Sequence, residues 1–180
     1  MINFVLGYKA SGKSLFAERS LLLNGKSTLY IGTLPDYAYY RETIEIHKRR
    51  RPEEWGLIEL THDPVYDMEV INSQIDLYDN ILLDGLTFYV IRCIYFAQDL
   101  DPCKSLFVDL LQRMQRDKVC SYLVDTPVPV KLDSEARRMV FSMHYLIMRH
   151  AAAIFYVDNG KTRNMSFNEA YRFDKVQLCK

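Results

Sequence analysis

At 180 residues, 49% hydrophobic and 26% charged, the chain has the composition of one ordinary soluble domain, long enough to bury a real core. Its 23 basic and 23 acidic residues cancel, so no global field recruits nucleic acid or an anionic membrane surface. The longest apolar runs are broken by Asp84 or Arg92, and no long apolar run follows a basic N-terminus, so neither membrane insertion nor a signal peptide is expected.

In chain order, "INFVLG" (2–7) reads as a buried strand ending at glycine, and the segment from Ser14 as a helix that stops at Asn24-Gly25. A second strand covers 27–33. A helix covers 36–50, with Asp36 as its N-cap and Pro52 beyond its end. Strand 55–61, helix 65–78, strand 80–87 and an apolar helix over 88–98 follow. Helical spacing of Leu106, Leu110 and Met114 marks 101–117, and a fifth strand covers 119–126. Helix 134–152 and a sixth strand, 153–160, complete the alternation. The polar-aromatic tail from 161 either docks as a short helix or stays loose. Strands that are continuous apolar runs, alternating with helices, predict an α/β three-layer sandwich with a mostly parallel central sheet. We read residues 1–180 as a single domain. Cys93, Cys103, Cys120 and Cys179 lack metal-ligand or disulfide-framework spacing and read as reduced thiols of a cytoplasmic protein.

The stretch "GYKASGKS" (7–14) fits G-x-x-x-x-G-K-[ST] and lies between the first strand and first helix, the context a phosphate-binding P-loop requires. The backbone of Gly7, Tyr8, Lys9, Ala10, Ser11 and Gly12 would wrap a nucleotide phosphate at a helix N-terminus. Lys13 would bridge the β- and γ-phosphates of ATP or GTP, and Ser14 would ligate Mg²⁺. A P-loop also needs a metal-binding carboxylate at the end of a neighbouring strand. Asp84, in "ILLDG", supplies it; a helix cap is its other reading. "HKRRR" (47–51) is a basic block. On pattern alone His47 caps an apolar helix face and the arginines form a solvated helix end.

Four segments together, "GYKASGKS", "LYIGT" (29–33), "HKRRRPEEW" (47–55) and "LLDGLT" (82–87), resemble the adenosylcobinamide kinase / adenosylcobinamide-phosphate guanylyltransferase family in order and spacing. That family has a P-loop, a Y-I-A-T-like strand, H-K-x-x-R-P-x-x-W and L-L-[DE]-C-[LI]-T. The resemblance implies phosphorylation of a corrinoid hydroxyl, followed by transfer of GMP from GTP through a histidine-linked intermediate. His47 would be the nucleophile, with Lys48 and Arg51 among the cations around the nucleotide. It also implies a homo-oligomer, typically a trimer, for which the tyrosines at 37, 39 and 40 offer a patch; a planar ligand could equally stack there.

The later part departs from the family. Where the family has N-E-V-G-x-G-[IV]-V-P, the chain has "DTPVPVK" (125–131), with Thr126 and Pro127 in place of Asn-Glu, and Ala10 stands where the P-loop usually carries Arg. Asp125 is either a substitute carboxylate or a strand-end cap. His62 reads as a loop histidine, and His144 and His150 as satisfied core histidines. Two other functions fit the altered half: a nucleotide-binding protein without corrinoid transferase activity, and a P-loop kinase for another small hydroxyl acceptor.

Overall fold

Side chains two apart along a strand share a face, and the strand sequences use this to separate two cores. Ile2, Phe4 and Leu6 of β1 (Ile2–Leu6) and Ile81 and Leu83 of β4 (Asn80–Asp84) point into the larger core. Val5 and Leu82, between them, point into a smaller one. The computed structural model describes residues 1–97, 99–116 and 119–178. Among these, the remaining strands are β2 (Thr28–Gly32), β3 (Gly56–Glu59), β5 (Cys120–Asp125), β6 (Ala153–Asp158) and β7 (Lys161–Met165). They form one sheet in the order β3-β2-β4-β5-β1-β6-β7. Every neighbouring pair is parallel except β6–β7.

The helices are α1 (Lys13–Leu22), α2 (Arg41–Arg50), α3 (Pro64–Gln74), α4 (Leu86–Phe96), α5 (Leu100–Arg116), α6 (Ser134–His150) and α7 (Phe167–Leu178). Ala17 and Leu21 of α1 cover the smaller core, joined by Phe16 and Trp55. Helices α3 to α7 supply the larger core on the opposite face, through residues such as Met68, Tyr89, Phe107, Val140 and Ala170. The expected three-layer α/β sandwich is therefore the fold. The strand order switches at β1: its connection leads to β2 on one side, while β6 and β7 lie on the other. Open α/β sheets bind ligands at the carboxyl ends of their strands at such a switch.

Several expectations change. Helix α2 begins at Arg41 with Tyr40, not Asp36, at its N-cap; exposed Asp36 instead pairs with Arg41 at 3.5 Å. The tail forms β7 and α7. Turn residues Asn159 and Gly160, both with positive φ, reverse the chain so that polar Lys161–Met165 pairs with β6 as an edge strand. His150 is half-exposed and bonds Gln115 through Nδ1 at 2.9 Å, so it is no core residue. Exposed His62 packs its ring 5.0 Å from Phe96. Gln98 and Asp117, the expected ends of two helices, and Cys179 lie outside the described residues. Cys93 and Cys103 are buried free thiols. No helix among the described residues is long and apolar enough to cross a membrane.

His144 is the core histidine, fully buried between two carboxylates. Its Nε2 lies 2.8 Å from Asp125 on β5, and its Nδ1 lies 2.8 Å from Asp174 on α7. Asp125 also accepts from the Thr87 backbone and hydroxyl at 2.8 Å, and Asp174 accepts from the Val128 backbone. Asp125 is thus neither a free substitute carboxylate nor a simple cap: it is a buried junction, and its backbone carbonyl accepts from Gly7 N–H at the mouth of the P-loop.

Burial alone would lower the His144 pKa, but Asp174 and Asp125 outweigh it and raise the value from 6.5 to about 10. A folded pKa above the unfolded one stabilises the protein fully below pH 6.5, and that contribution is lost as pH rises through about 10. We expect the urea midpoint to fall between pH 7 and pH 10, with a shallower fall in His144→Gln. At pH 7, His144→Ala costs about 3–5 kcal/mol, because two buried carboxylates lose their shared cation; equilibrium urea unfolding measures both effects.

Candidate active site

Gly7 ends the run after β1 because nothing larger fits: a Cβ there would lie 2.4 Å from Ser11 Oγ and 2.6 Å from the Val157 carbonyl. The loop then turns through Ala10 at φ 61 and Gly12 at φ 93. Ala10 adopts a left-handed conformation that non-glycine residues rarely take. Ser11 N–H donates to the Tyr8 carbonyl, and the β6–β7 turn braces the loop through Gly160 N–H, which donates to the Ser11 carbonyl at 2.9 Å. Gly12 is the N-cap of α1 and receives no side-chain cap, so the helix N-terminus is open to an anion. Lys13 Nζ folds back onto the Tyr8 carbonyl at 3.3 Å. Burial lowers its pKa, opposed by Asp84 and Asp125.

Asp84 ends β4, one strand removed from β1, because β5 lies between them. The first turn of α1 crosses that gap: Ser14 Oγ donates to Asp84 Oδ1 at 2.9 Å. A hydroxyl and a carboxylate are hard oxygen donors of the kind Mg²⁺ takes, so this pair fits the metal of a bound nucleotide. The other oxygen, Oδ2, accepts from Tyr30 Oη at 3.0 Å. Burial, then Asp84, raise the Tyr30 pKa well above 10.0, so its hydroxyl stays protonated and remains a donor.

His47 comes to the same place. Only 13% of its side chain is exposed, and it does not cap an apolar face, since α2 has no buried residue. Its Nδ1 lies 3.1 Å from Tyr30 Oη and 3.3 Å from both Asp84 Oδ2 and Glu18 Oε1. Glu18, on α1, is 2% exposed and pairs with Arg50 at 3.0 Å through each oxygen. Glu18, His47 and Asp84 offer ligand atoms within 4.8 Å of one another. Arg50 Nη2, 3.3 Å from His47 Nδ1, already supplies a cation inside that group.

Lys13, Ser14, Asp84 and His47 therefore gather at one end of the sheet. Lys48 turns away to Glu59 on β3 at 3.5 Å. Arg51 donates to the His47 carbonyl at 3.1 Å and stacks 4.1 Å from the Tyr30 ring centroid. Trp55 packs against the smaller core; Arg51 and Trp55 thus shape the turn by hydrogen bonding and by packing. Lys9 meets Tyr39 Oη at 2.7 Å, and the hydrogen bond lowers the Tyr39 pKa. Tyr37 and Tyr39 are exposed, and the Tyr40 ring centroid lies 5.3 Å from that of Phe88.

Sequence reasoning missed Glu18 and Tyr30. Glu18 lies four residues after Ser14, hence on the same helix face; an acid between apolar Ala17 and Leu21 was the available signal. Tyr30 was visible only as part of a strand.

The solved structures most similar in shape include flagellar accessory protein FlaH from Methanocaldococcus jannaschii, at 15% identity and TM-score 0.55, covering 94% of this chain and 80% of that one. A KaiC-like protein from Pyrococcus horikoshii OT3 matches at 12% identity and TM-score 0.52, covering 91% and 75%. The RadB recombinase matches at 15% identity and TM-score 0.54, covering 86% and 73%. At such identity these likenesses concern the fold alone. No curated protein sequence matches significantly. The family model for cobinamide kinase / cobinamide phosphate guanyltransferase matches residues 3–135, well past the four motifs and into the altered loop. The chain belongs to the cobinamide kinase / cobinamide phosphate guanyltransferase family.

Proposed function

We propose that the chain transfers the γ-phosphoryl group of ATP or GTP to the hydroxyl of adenosylcobinamide. It then transfers GMP from GTP to that phosphate through a guanylyl-histidine at His47. The observation that carries this reading is the meeting of His47 with Asp84, whose other oxygen holds Ser14 of the P-loop. A protein that merely binds nucleotide has no use for a histidine held there.

Each residue has a physical task in this reading. The P-loop amides and the open N-terminus of α1 bind the phosphates. Lys13 leaves the Tyr8 carbonyl to bridge the β- and γ-phosphates. Ser14 and Asp84 would hold Mg²⁺, which when bound neutralises phosphate charge during phosphoryl transfer. His47 splits guanylyl transfer into two displacements, while Arg51 would add positive charge from its place over the Tyr30 ring, and Lys48 would do so only on leaving Glu59. The tyrosines at 37, 39 and 40 form an aromatic patch beside Lys9 suited to a trimeric, cytoplasmic assembly.

Incubation with Mg²⁺, ATP, GTP and adenosylcobinamide, followed by mass analysis, tests the proposal. The expected product is a GDP-linked corrinoid, replaced in His47→Ala by the corrinoid phosphate as the last product. Formation of no corrinoid product, despite nucleotide binding, would overturn it. Lys13→Ala should slow phosphoryl transfer by about 100-fold or more, as the loss of one preorganised charge contact commonly does. Gly7→Ala should weaken nucleotide binding at least about tenfold, because its Cβ displaces Ser11 and distorts the amide cradle; fluorescent-nucleotide titration reads that change.

A further inference from the structure

Beyond residue 135, where the match to the family model ends, the chain turns back on the P-loop at several points. Gly160, in the β6–β7 turn, donates its N–H to the Ser11 carbonyl at 2.9 Å. On α7, the Phe173 ring stands edge-on to two others. Its centroid lies 6.3 Å from that of Tyr8 in the loop and 5.2 Å from that of Tyr156 on β6. The next residue, Asp174, holds His144 at 2.8 Å, and His144 holds Asp125 at 2.8 Å. The Asp125 carbonyl in turn accepts from Gly7 N–H at 3.2 Å. Two consecutive residues of α7 thus reach two consecutive residues of the loop.

We propose that Phe173 and Asp174 are positioning residues of the nucleotide site, and that the docking of α7 presets the P-loop for phosphate. The inference rests on the reading of that loop as a nucleotide site. The loop needs such support. Ala10 takes φ 61, a conformation that persists only where the surroundings over-determine it. The loop amides must also face the phosphate before it arrives, because apparent affinity falls with the fraction of molecules in which they do. Tyr8 is the pivot. Its carbonyl accepts from Ser11 N–H at 3.1 Å and from Lys13 Nζ at 3.3 Å, so a fixed Tyr8 fixes both the turn and the resting place of the lysine.

The two residues act by different means. Phe173 packs edge-to-face, a directional arrangement that orients the Tyr8 ring as well as covering it. Asp174 works through hydrogen bonds, and its Oδ1 also accepts from Val128 N–H at 2.8 Å, so the altered loop after β5 joins the same brace. Coupling of this kind is reciprocal. If a docked α7 favours the loop that binds nucleotide, bound nucleotide favours the docked α7 by the same factor. Phe167, at the start of α7, supplies the comparison. Its ring stacks on Tyr171 and meets Tyr145 of α6, each at 6.0 Å, so it packs the same helix at the end away from Phe173.

The test titrates the full chain with fluorescent mant-GTP and mant-ATP in Mg²⁺, and follows amide hydrogen exchange in α7 with and without nucleotide. Phe173→Ala should weaken binding about tenfold, and Asp174→Asn about threefold or more, by lowering the preset fraction of the loop. Phe173→Tyr keeps the ring and should restore affinity to within about twofold. Phe167→Ala also removes an aromatic ring from α7, yet should leave affinity within about twofold, since distant sites act independently. In the unmutated chain, bound nucleotide should slow exchange along α7, and that measurement carries the test if Phe173→Ala does not fold. Unchanged affinity in Phe173→Ala, an equal loss in Phe167→Ala, or exchange in α7 that nucleotide leaves unaltered overturns the proposal alone. An unmutated chain that binds neither nucleotide overturns the reading of the loop as a nucleotide site, and the proposal with it.

Discussion

Asp84 divides its two carboxylate oxygens between the phosphate loop and the histidine helix. Oδ1 accepts from Ser14; Oδ2 accepts from Tyr30 and lies beside His47. Burial of an ionised carboxylate is costly unless its lone pairs are satisfied, and at 8% exposure Asp84 depends on these partners. Much of the surrounding geometry follows. Ser14 must stand on the first turn of α1, Tyr30 must point toward the α1 face of the sheet, and α2 must lie where its seventh residue reaches the same oxygen. Glu18 and Arg50 complete the arrangement with a partly buried ion pair. Such a pair adds little net stability but is costly to break from one side, so it fixes where α2 lies.

That role of α2 explains a feature that would otherwise be unfavourable. The helix has no buried residue, and an amphipathic helix normally gains its stability from an apolar stripe. Here polar contacts take that place: Arg50 with Glu18, the Tyr30 hydroxyl with His47, and Arg51 across the Tyr30 ring. Lys48, Arg49 and Arg50 in the last turn also complement the negative end of the helix dipole. A helix held by directional contacts can orient an imidazole more narrowly than one held by non-directional apolar packing.

The parallel sheet, most element boundaries and the choice of Lys13, Ser14, Asp84 and His47 as candidate site residues were legible because they rest on local signals. These are glycines at fixed offsets, apolar runs, and the segment "HKRRRPEEW". Asp36 misled because an acidic residue before a helical segment looks like a cap, while Tyr40 sits four residues later with its own backbone turn. Strand β7 was illegible because an exposed edge strand needs no apolar alternation; its pairing depends on the Asn159–Gly160 turn. Glu18 and Tyr30 were hidden for another reason. Their chemistry exists only where β2, α1 and α2 meet, and no spacing in the chain encodes that meeting.

The same reasoning bears on the altered segment after β5. The prolines of "DTPVPVK" remove backbone freedom and hydrogen-bond donors, yet the strand end beside the P-loop is firmly held. The reason lies in the partners of Asp125. Its carbonyl receives Gly7 N–H, while its carboxylate is held by Thr87 and His144. His144 passes the constraint on to Asp174, which in turn fixes Val128 inside the altered loop. His144 and helix α7, the closing end of this network, lie beyond residues 3–135, the part of the chain that matches the family model. The divergent half does not simply lose contacts around a retained nucleotide loop: it anchors the strand end on which that loop rests through a buried histidine and two carboxylates.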